Sequence, residues 1–301
     1  MESDFSEEED VYDSDGWKPH DEQNSSSAGV HELATSRGFM YGWDETVASR
    51  GSQEVGSCLV EHLKAQAATA NHIVMYSDAC TGQNRNLKLP LYLLKLIGGR
   101  SISASIIDHK FMVSGHSYLP NDRDFASVEN FARGKFMYEP QCWYNVILKC
   151  RKNNTFHFKR MQCEDFESVS KLEASITRRK KNLANGQVNW LKIQWIRLLK
   201  DRPFTILYKE SLNEEIPFSE LNIKPAKPGR NTSLHNVDQL LLHPNGREVT
   251  KAKKMDMLSL LAYIPPIHHS FYQNLQCQDE REEQEDLGPL EVVEAEEIAD
   301  A

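Results

Sequence analysis

The sequence predicts an α/β layered fold, and three observations predict it. A short apolar run, Ile73-Val-Met-Tyr76, ends on an acid, Asp78, and small polar residues follow before a helical pattern opens at Leu87. That is a buried strand delivering a carboxylate to its C-terminal end, where ligands and metals gather in open α/β sheets. Strand-like and helix-like segments alternate from Gly38 to Phe131, the order of an α/β unit. The helix-like segments carry apolar residues at helical spacing and end on glycine or open on a capping residue.

Taken in order, residues 1–28 are acidic, serine-rich and poor in aliphatics. Such a segment buries too little surface to offset chain entropy and is expected to be a disordered tail. Gly38–Asp44 reads as an aromatic-rich strand. Ser52 is placed to cap a helix whose apolar positions are Val55, Cys58, Leu59, His62 and Leu63. A second helix runs from about Asn86 to Ile97, with Pro90 in its first turn and Gly98-Gly99 ending it. Ser103–Val113 reads as a strand, and Gly115–Phe125 as a polar turn leading into a helix through Val128 and Phe131. This order sets Asp78 and the acids near position 122 at the same sheet edge. Residues 135–275 read as short strands, Trp143–Cys150, Thr155–Met161, Val188–Ile193 and Thr205–Tyr208, followed by a helix capped by Thr250 and stopped by Pro265-Pro266. The expected organisation is an acidic tail over 1–28, an α/β core over 29–134, a β-rich domain with terminal helices over 135–276, and a second acidic tail over 277–301.

With 40% hydrophobic and 26% charged residues among 301, the chain has material for a packed core. No apolar run approaches the roughly eighteen residues a membrane span needs. The acidic N-terminus does not read as a charged-then-apolar leader, so secretion is not expected. Six cysteines without a Cys-x-x-Cys pair read as reduced thiols. Residues 1–22 hold ten acids against one lysine and residues 277–301 eleven acids against one arginine, so with a whole-chain charge of −9 residues 23–276 carry a net +10. A basic body points toward a polyanion, although a moderately basic domain that binds nothing has the same balance.

Two constellations carry candidate chemistry. Asp78 with Asp122, Asp124 and Glu129 supplies oxygen ligands for Mg²⁺ or Mn²⁺, and a metal pair serves phosphoryl transfer. The plainer reading has Asp122 or Asp124 capping the following helix and Glu129 on its solvated face. His116 is a metal neighbour or proton shuttle, or a structural turn residue. Asp108 and His109 are expected as edge or strand-end residues. Asn84, Arg85 and Asn86 meet a phosphate at a helix start or cap that helix. The second constellation runs from Arg178 to Arg202, where Arg178, Arg179, Lys180 and Lys181 suit phosphates or an import receptor. Trp190 and Trp195 are expected in a local core, and Lys251, Lys253 and Lys254 form a weaker second patch.

Three boxes, Trp43-Asp-Glu-Thr-Val-Ala-Ser-Arg-Gly-Ser-Gln-Glu-Val-Gly-Ser57, Ser77-Asp-Ala-Cys-Thr-Gly-Gln-Asn-Arg-Asn86 and Gly115-His-Ser…Asn-Asp-Arg-Asp-Phe125, occur in this order. Together with Lys253–Pro266, His269 and Phe271-Tyr272, they resemble an uncharacterised transposon-derived family abundant in arthropods. That family looks like a ribonuclease H-like, acid-triad transposase or integrase core. The resemblance covers about Gly29 to Leu275. It implies that Asp78 is the second acid of the triad on the fourth strand, that Asp122 is the third with Glu129 in reserve, and that His116 belongs to the same box. Asp78 and Asp122 would then hold Mg²⁺ or Mn²⁺. The first strand and first acid have no counterpart upstream of Phe39–Trp43. The expectation is an incomplete ribonuclease H-like mixed sheet, N-terminally truncated, that no longer cuts DNA. Its Asp78 strand would be left with an open edge through which copies can associate. DNA is the expected partner, the membrane is not, and the compartment is nuclear or cytoplasmic. The competing readings are an active nuclease borrowing Asp44 as its first acid, and an acidic-tailed protein-interaction module.

Overall fold

The structure, a computed structural model, describes residues 25–80, 82–112, 119–225 and 233–277. It is mixed α/β, with two main sheets and seven α-helices among the described residues.

The first sheet begins with a hairpin. β1 (Ser25–Glu32) pairs antiparallel with β2 (Arg37–Asp44), and β5 (His157–Arg160) joins the far side of β2 in parallel. Arg37 closes the hairpin onto Glu32 at 3.2 Å. Side chains alternate along β2, so Phe39, Tyr41 and Trp43 share one face while Gly38, Met40 and Gly42 share the other. The aromatic face packs with Val47, Cys58 and Phe166, and Cys58 comes from α1 (Ser52–Gln66). The glycine face packs under α3 (Pro120–Ala132) and α4 (Pro140–Lys149) through Met40, Val128, Ala132, Val146, Ile147 and Phe156. A Cβ at Gly38 would lie 2.5 Å from the Phe156 ring, and one at Gly42 would lie 2.7 Å from the Phe158 ring. Burial on both faces is why this strand reads as a nearly unbroken apolar run.

The second sheet has five strands in the order β3 (His72–Ser77), β4 (Ile106–Phe111), β7 (Trp195–Leu199), β8 (Thr205–Lys209) and β9 (Ser219–Asn222). β3 and β4 are parallel and the remaining pairs antiparallel. α2 (Lys88–Gly98) covers one face, setting Leu89, Leu91, Leu93, Leu94 and Ile97 into a core with Ile73, Ile107, Ile196, Leu198 and Ile206. α1 is the wall shared by both cores: Cys58 packs into the first, Val60 and Leu63 into the second.

α1 and α2 approach closely at Gly56, where a Cβ would sit 2.6 Å from the ring of the buried Tyr92. Tyr92 is also fixed by its hydroxyl, which donates to the Glu167 carbonyl. Gly56→Val is therefore expected to push the two helices apart and cost about 1–3 kcal/mol. A urea midpoint unchanged from wild type would show that this contact is slack.

The remaining elements are short. β6 (Glu167–Ser168) pairs with β10 (Leu240–Leu241), and α5 (Ser170–Ala174) follows β6. α6 (Lys251–Ser259) opens on Thr250, whose hydroxyl accepts the Lys253 N–H at 3.3 Å as the sequence predicts. α7 (His269–Gln273) packs with Val249 and Leu275 through Tyr272.

Several expectations need correction. Trp143–Cys150 is not a strand but most of α4, which starts on Pro140. Its apolar residues satisfy helical spacing as well as a short buried run, and periodicity alone does not separate the two. Val188–Ile193 holds only a 3₁₀ turn, Trp190–Lys192, capped by Asn189. β1 supplies a strand upstream of Phe39–Trp43, where the sequence predicts none, and it takes in Ser25–Ala28 from the predicted tail; it carries no aspartate. The α1 cap is Gly51, whose N–H meets the Glu54 carboxylate at 3.1 Å, rather than Ser52. β5 and β7–β9 come from residues 135–276 yet complete sheets begun before residue 134, so those two segments interleave. Among the described residues no helix is long and apolar enough to cross a membrane.

Candidate functional site

Asp78 follows the last residue of β3, at the strand's C-terminal end. β3 is a terminal strand: β4 lies on one side, and no described strand pairs with the other. Its inward Ile73 is buried, while Val74 and Tyr76 are 45% and 44% exposed. Asp78 is itself exposed and organises its own loop. Its Oδ1 accepts the Asn84 side-chain amide at 2.6 Å and the Cys80 N–H at 3.3 Å. Asn86 caps α2, accepting the Lys88 and Leu89 N–H groups at 3.0 and 3.3 Å. Arg85 turns inward: its guanidinium donates to the Leu191 carbonyl and lies 5.4 Å from the Phe111 ring centre. Burial lowers its pKa, and its Nε is buried without a partner among the described residues. His116 lies outside the described residues.

The other acids belong to α3, which packs against β1 of the first sheet. The Asp122 carboxylate accepts the Leu119 N–H at 2.9 Å and closes the first turn of α3. Glu129 is exposed on the same helix. Asp124 is buried, 2.7 Å from His31 Nδ1 and 2.8 Å from Arg151, an internal brace rather than a surface ligand. Asp44 is buried at the end of β2, accepting the Thr46 N–H at 3.1 Å and its hydroxyl, with Arg160 at 3.6 Å. Among the described residues, the only three-residue His, Cys, Asp or Glu group with mutual ligand-atom distances inside 4.8 Å is Glu139, Cys142 and His268. Asp78, Asp122 and Glu129 form no such group, and Asp44 does not complete one.

The strongest electrostatic feature is one the sequence reading misplaced. Asp108 and His109 are not edge residues; they sit in β4, between β3 and β7, and both are buried. Pairing brings Val74, Asp108 and Arg197 into one cross-strand row, and Tyr76, Lys110, Trp195 and Lys209 into the next. Asp108 takes both Arg197 Nε and a terminal nitrogen at 2.8 Å, Trp195 Nε1 at 2.7 Å and His72 Nε2 at 2.7 Å. Burial alone would raise its pKa, but the Arg197, Trp195 and His72 hydrogen bonds outweigh it and hold the carboxyl below its ordinary range. Lys110 Nζ lies 3.9 Å over the Trp195 ring, and Lys209 Nζ, on the same face of the sheet, lies 4.6 Å from its centre. His109 points the other way, into the core. Its Nε2 is 2.8 Å from Ser77 Oγ and its Nδ1 has no partner among the described residues, and burial pushes its pKa down to about 3. The alternation of His72, Val74, Asp108, Lys110, Trp195 and Arg197 was visible in the sequence, but only the register makes it one face.

The basic cluster lies at the opposite end of the same sheet. Thr177 N–H bonds the Ile223 carbonyl at 3.0 Å and Leu183 N–H the Glu220 carbonyl at 2.9 Å, so the segment covers the β9 edge. Arg178 pairs with Glu173 at 2.5 Å, and Arg179 reaches the Asn222 carbonyl and side chain at 2.7 and 3.0 Å. Lys180 and Lys181 are exposed, with no ion pair among the described residues. Trp195 is buried and Trp190 packs against the core, the arrangement expected for both.

No family model matches the chain, and no curated protein and no solved structure matches it.

Proposed function

We propose that this chain is a transposase-like protein of the transposon-derived family it resembles, built on an incomplete ribonuclease H-like core, which binds nucleic acid without cutting it. The observation that supports this reading best is the terminal position of β3, since an acid triad needs a carboxylate from a neighbouring strand and no described strand occupies that side. Asp78 is engaged in its own turn and Asp122 in a helix cap. As arranged, these carboxylates do not fit Mg²⁺ or Mn²⁺, hard cations that require several converging oxygens.

Binding is assigned to the basic edge. Lys180 and Lys181 are exposed there with no ion pair among the described residues, while Arg178 and Arg179 are engaged by Glu173 and Asn222. The same exposed four-residue cluster suits a nuclear import receptor. Among the described residues the β3 edge is open, and its backbone groups suit pairing with a second copy.

With purified chain and supercoiled plasmid, no nicking is expected in Mg²⁺ or Mn²⁺; nicking that disappears in Asp78→Ala would overturn the inactive reading. A mobility shift with DNA should weaken as salt rises. The double variant Lys180→Glu, Lys181→Glu should weaken it further and flatten the salt dependence by about two phosphate contacts. An unaltered salt slope in that variant would remove the basic edge from the proposal.

A further inference from the structure

Between residues 248 and 277 the fully buried apolar residues are Val249, Tyr272 and Leu275, with Met257, Leu258, Leu261, Ile264 and Phe271 partly buried around them. So small a core leaves room for a polar tie to the body. At its contact with α4, three side chains of different chemistry meet. Glu139 is the residue before α4, Cys142 lies in the helix's first turn, and His268 comes from the short 3₁₀ turn before α7. Their ligand atoms all lie within 4.8 Å of one another, and all three residues are partly buried. His268 Nδ1 is 3.0 Å from Glu139 Oε1.

The Glu139 side chain makes no capping bond to α4 and faces His268 instead. The imidazole is held in place. It stacks on Tyr138 at 5.2 Å with 27° between planes, and the Tyr272 hydroxyl donates to the Tyr138 carbonyl. A ligating side chain is better placed when packing locks its orientation.

We propose that Glu139, Cys142 and His268 bind a divalent cation of the Zn²⁺ class, and that the bound ion ties the terminal helical segment to α4. Sulfur, imidazole nitrogen and carboxylate oxygen together suit Zn²⁺ or Co²⁺, whereas Mg²⁺ and Ca²⁺ take oxygen ligands. Three protein ligands leave a coordination position for water. Binding releases the Cys142 thiol proton and any proton held between His268 and Glu139. The site shares no residue with the Asp78 loop or the basic edge.

The test uses the full chain, stripped with a chelator and titrated with Co²⁺. A near-ultraviolet thiolate-to-cobalt charge-transfer band is expected, together with intense visible bands of a low-symmetry four-coordinate ion. Cys142→Ser should abolish the charge-transfer band. His268→Gln should weaken binding beyond the roughly 10–100-fold that loss of an outer-shell partner costs. In the unmutated protein, Zn²⁺ should protect Cys142 from iodoacetamide, mapped by mass spectrometry, and slow amide exchange over residues 264–275. This arm is independent of whether either variant folds. No charge-transfer band in wild type, or a band that persists unchanged in Cys142→Ser, would overturn the proposal, as would alkylation of Cys142 at the same rate with and without Zn²⁺.

Discussion

Asp108→Ala is expected to destabilise the protein by about 3 kcal/mol, the lower end of the range for stranding one side of a buried ion pair. The carboxylate is 2% exposed and serves three donors, Arg197, Trp195 and His72. Removing it leaves the Trp195 N–H buried without an acceptor and the Arg197 charge without its partner. The discount is for Arg197 and His72, whose side chains are 29% and 44% exposed and recover some hydration. Asp108→Asn preserves shape and one acceptor but removes the charge, so it should cost less than the alanine variant. The sign of the pH dependence follows from the depressed folded-state pKa. The unfolded carboxyl holds its proton to higher pH, so the stabilisation is complete above the ordinary aspartate range and fades as pH falls through it toward the folded value. Urea unfolding followed by tryptophan fluorescence measures both effects. A loss below about 1 kcal/mol in Asp108→Ala would mean the network contributes geometry without net stability.

The second large effect belongs to His109. Its pKa lies at about 3 against an ordinary 6.5, because the ring is enclosed in the core. Between those two values the unfolded chain takes up a proton that the folded chain refuses. Stability is therefore unaffected by this group above about pH 6.5 and falls steadily as pH drops toward 3, by several kcal/mol over the full interval. His109→Leu substitutes an apolar side chain of similar bulk among Ile107, Phe111 and Ile196. It gives up the Ser77 contact but also removes a buried Nδ1 that has no partner among the described residues. The variant should show a visibly shallower loss of stability with acid than wild type, read as the difference between two urea-midpoint series. Parallel curves would place the titrating group elsewhere.

These two neighbours illustrate how a central strand accommodates polar residues. β4 sends Asp108 to a face where β7 supplies a guanidinium and an indole, and sends His109 to a face where, among the described residues, Ser77 alone bonds it. The first is satisfied and charged, the second enclosed and neutral. Reading the strand alone, both polar residues looked like signs of an edge. The error is physical: a strand's own sequence reports its alternation, but not what its neighbours present opposite each residue.

Periodicity was enough to find β2, α1, β3, α2, β4 and α3, because each carries a spacing or a stop signal of its own. Thr250 as a cap and Asn86 at a helix start were legible for the same reason, since capping is satisfied within one turn. α4 was misread because its apolar residues fit both periods. The candidate acids were found as residues but not as a site. Asp78 belongs to the second sheet and Asp122 to a helix over the first, and spacing along the chain carries no information about which sheet a strand joins.

What the sequence determined by itself was therefore local: the class of fold, most of the α/β half, the basic body between acidic ends, and the residue types able to carry charge. Only the tertiary structure decided that residues 157–222 complete both sheets, that β3 ends one of them, and that Glu139, Cys142 and His268 meet. Helices and turns are satisfied by bonds over a few residues, while sheet order and side-chain clusters depend on pairings between segments far apart, and those are settled by packing of the whole chain.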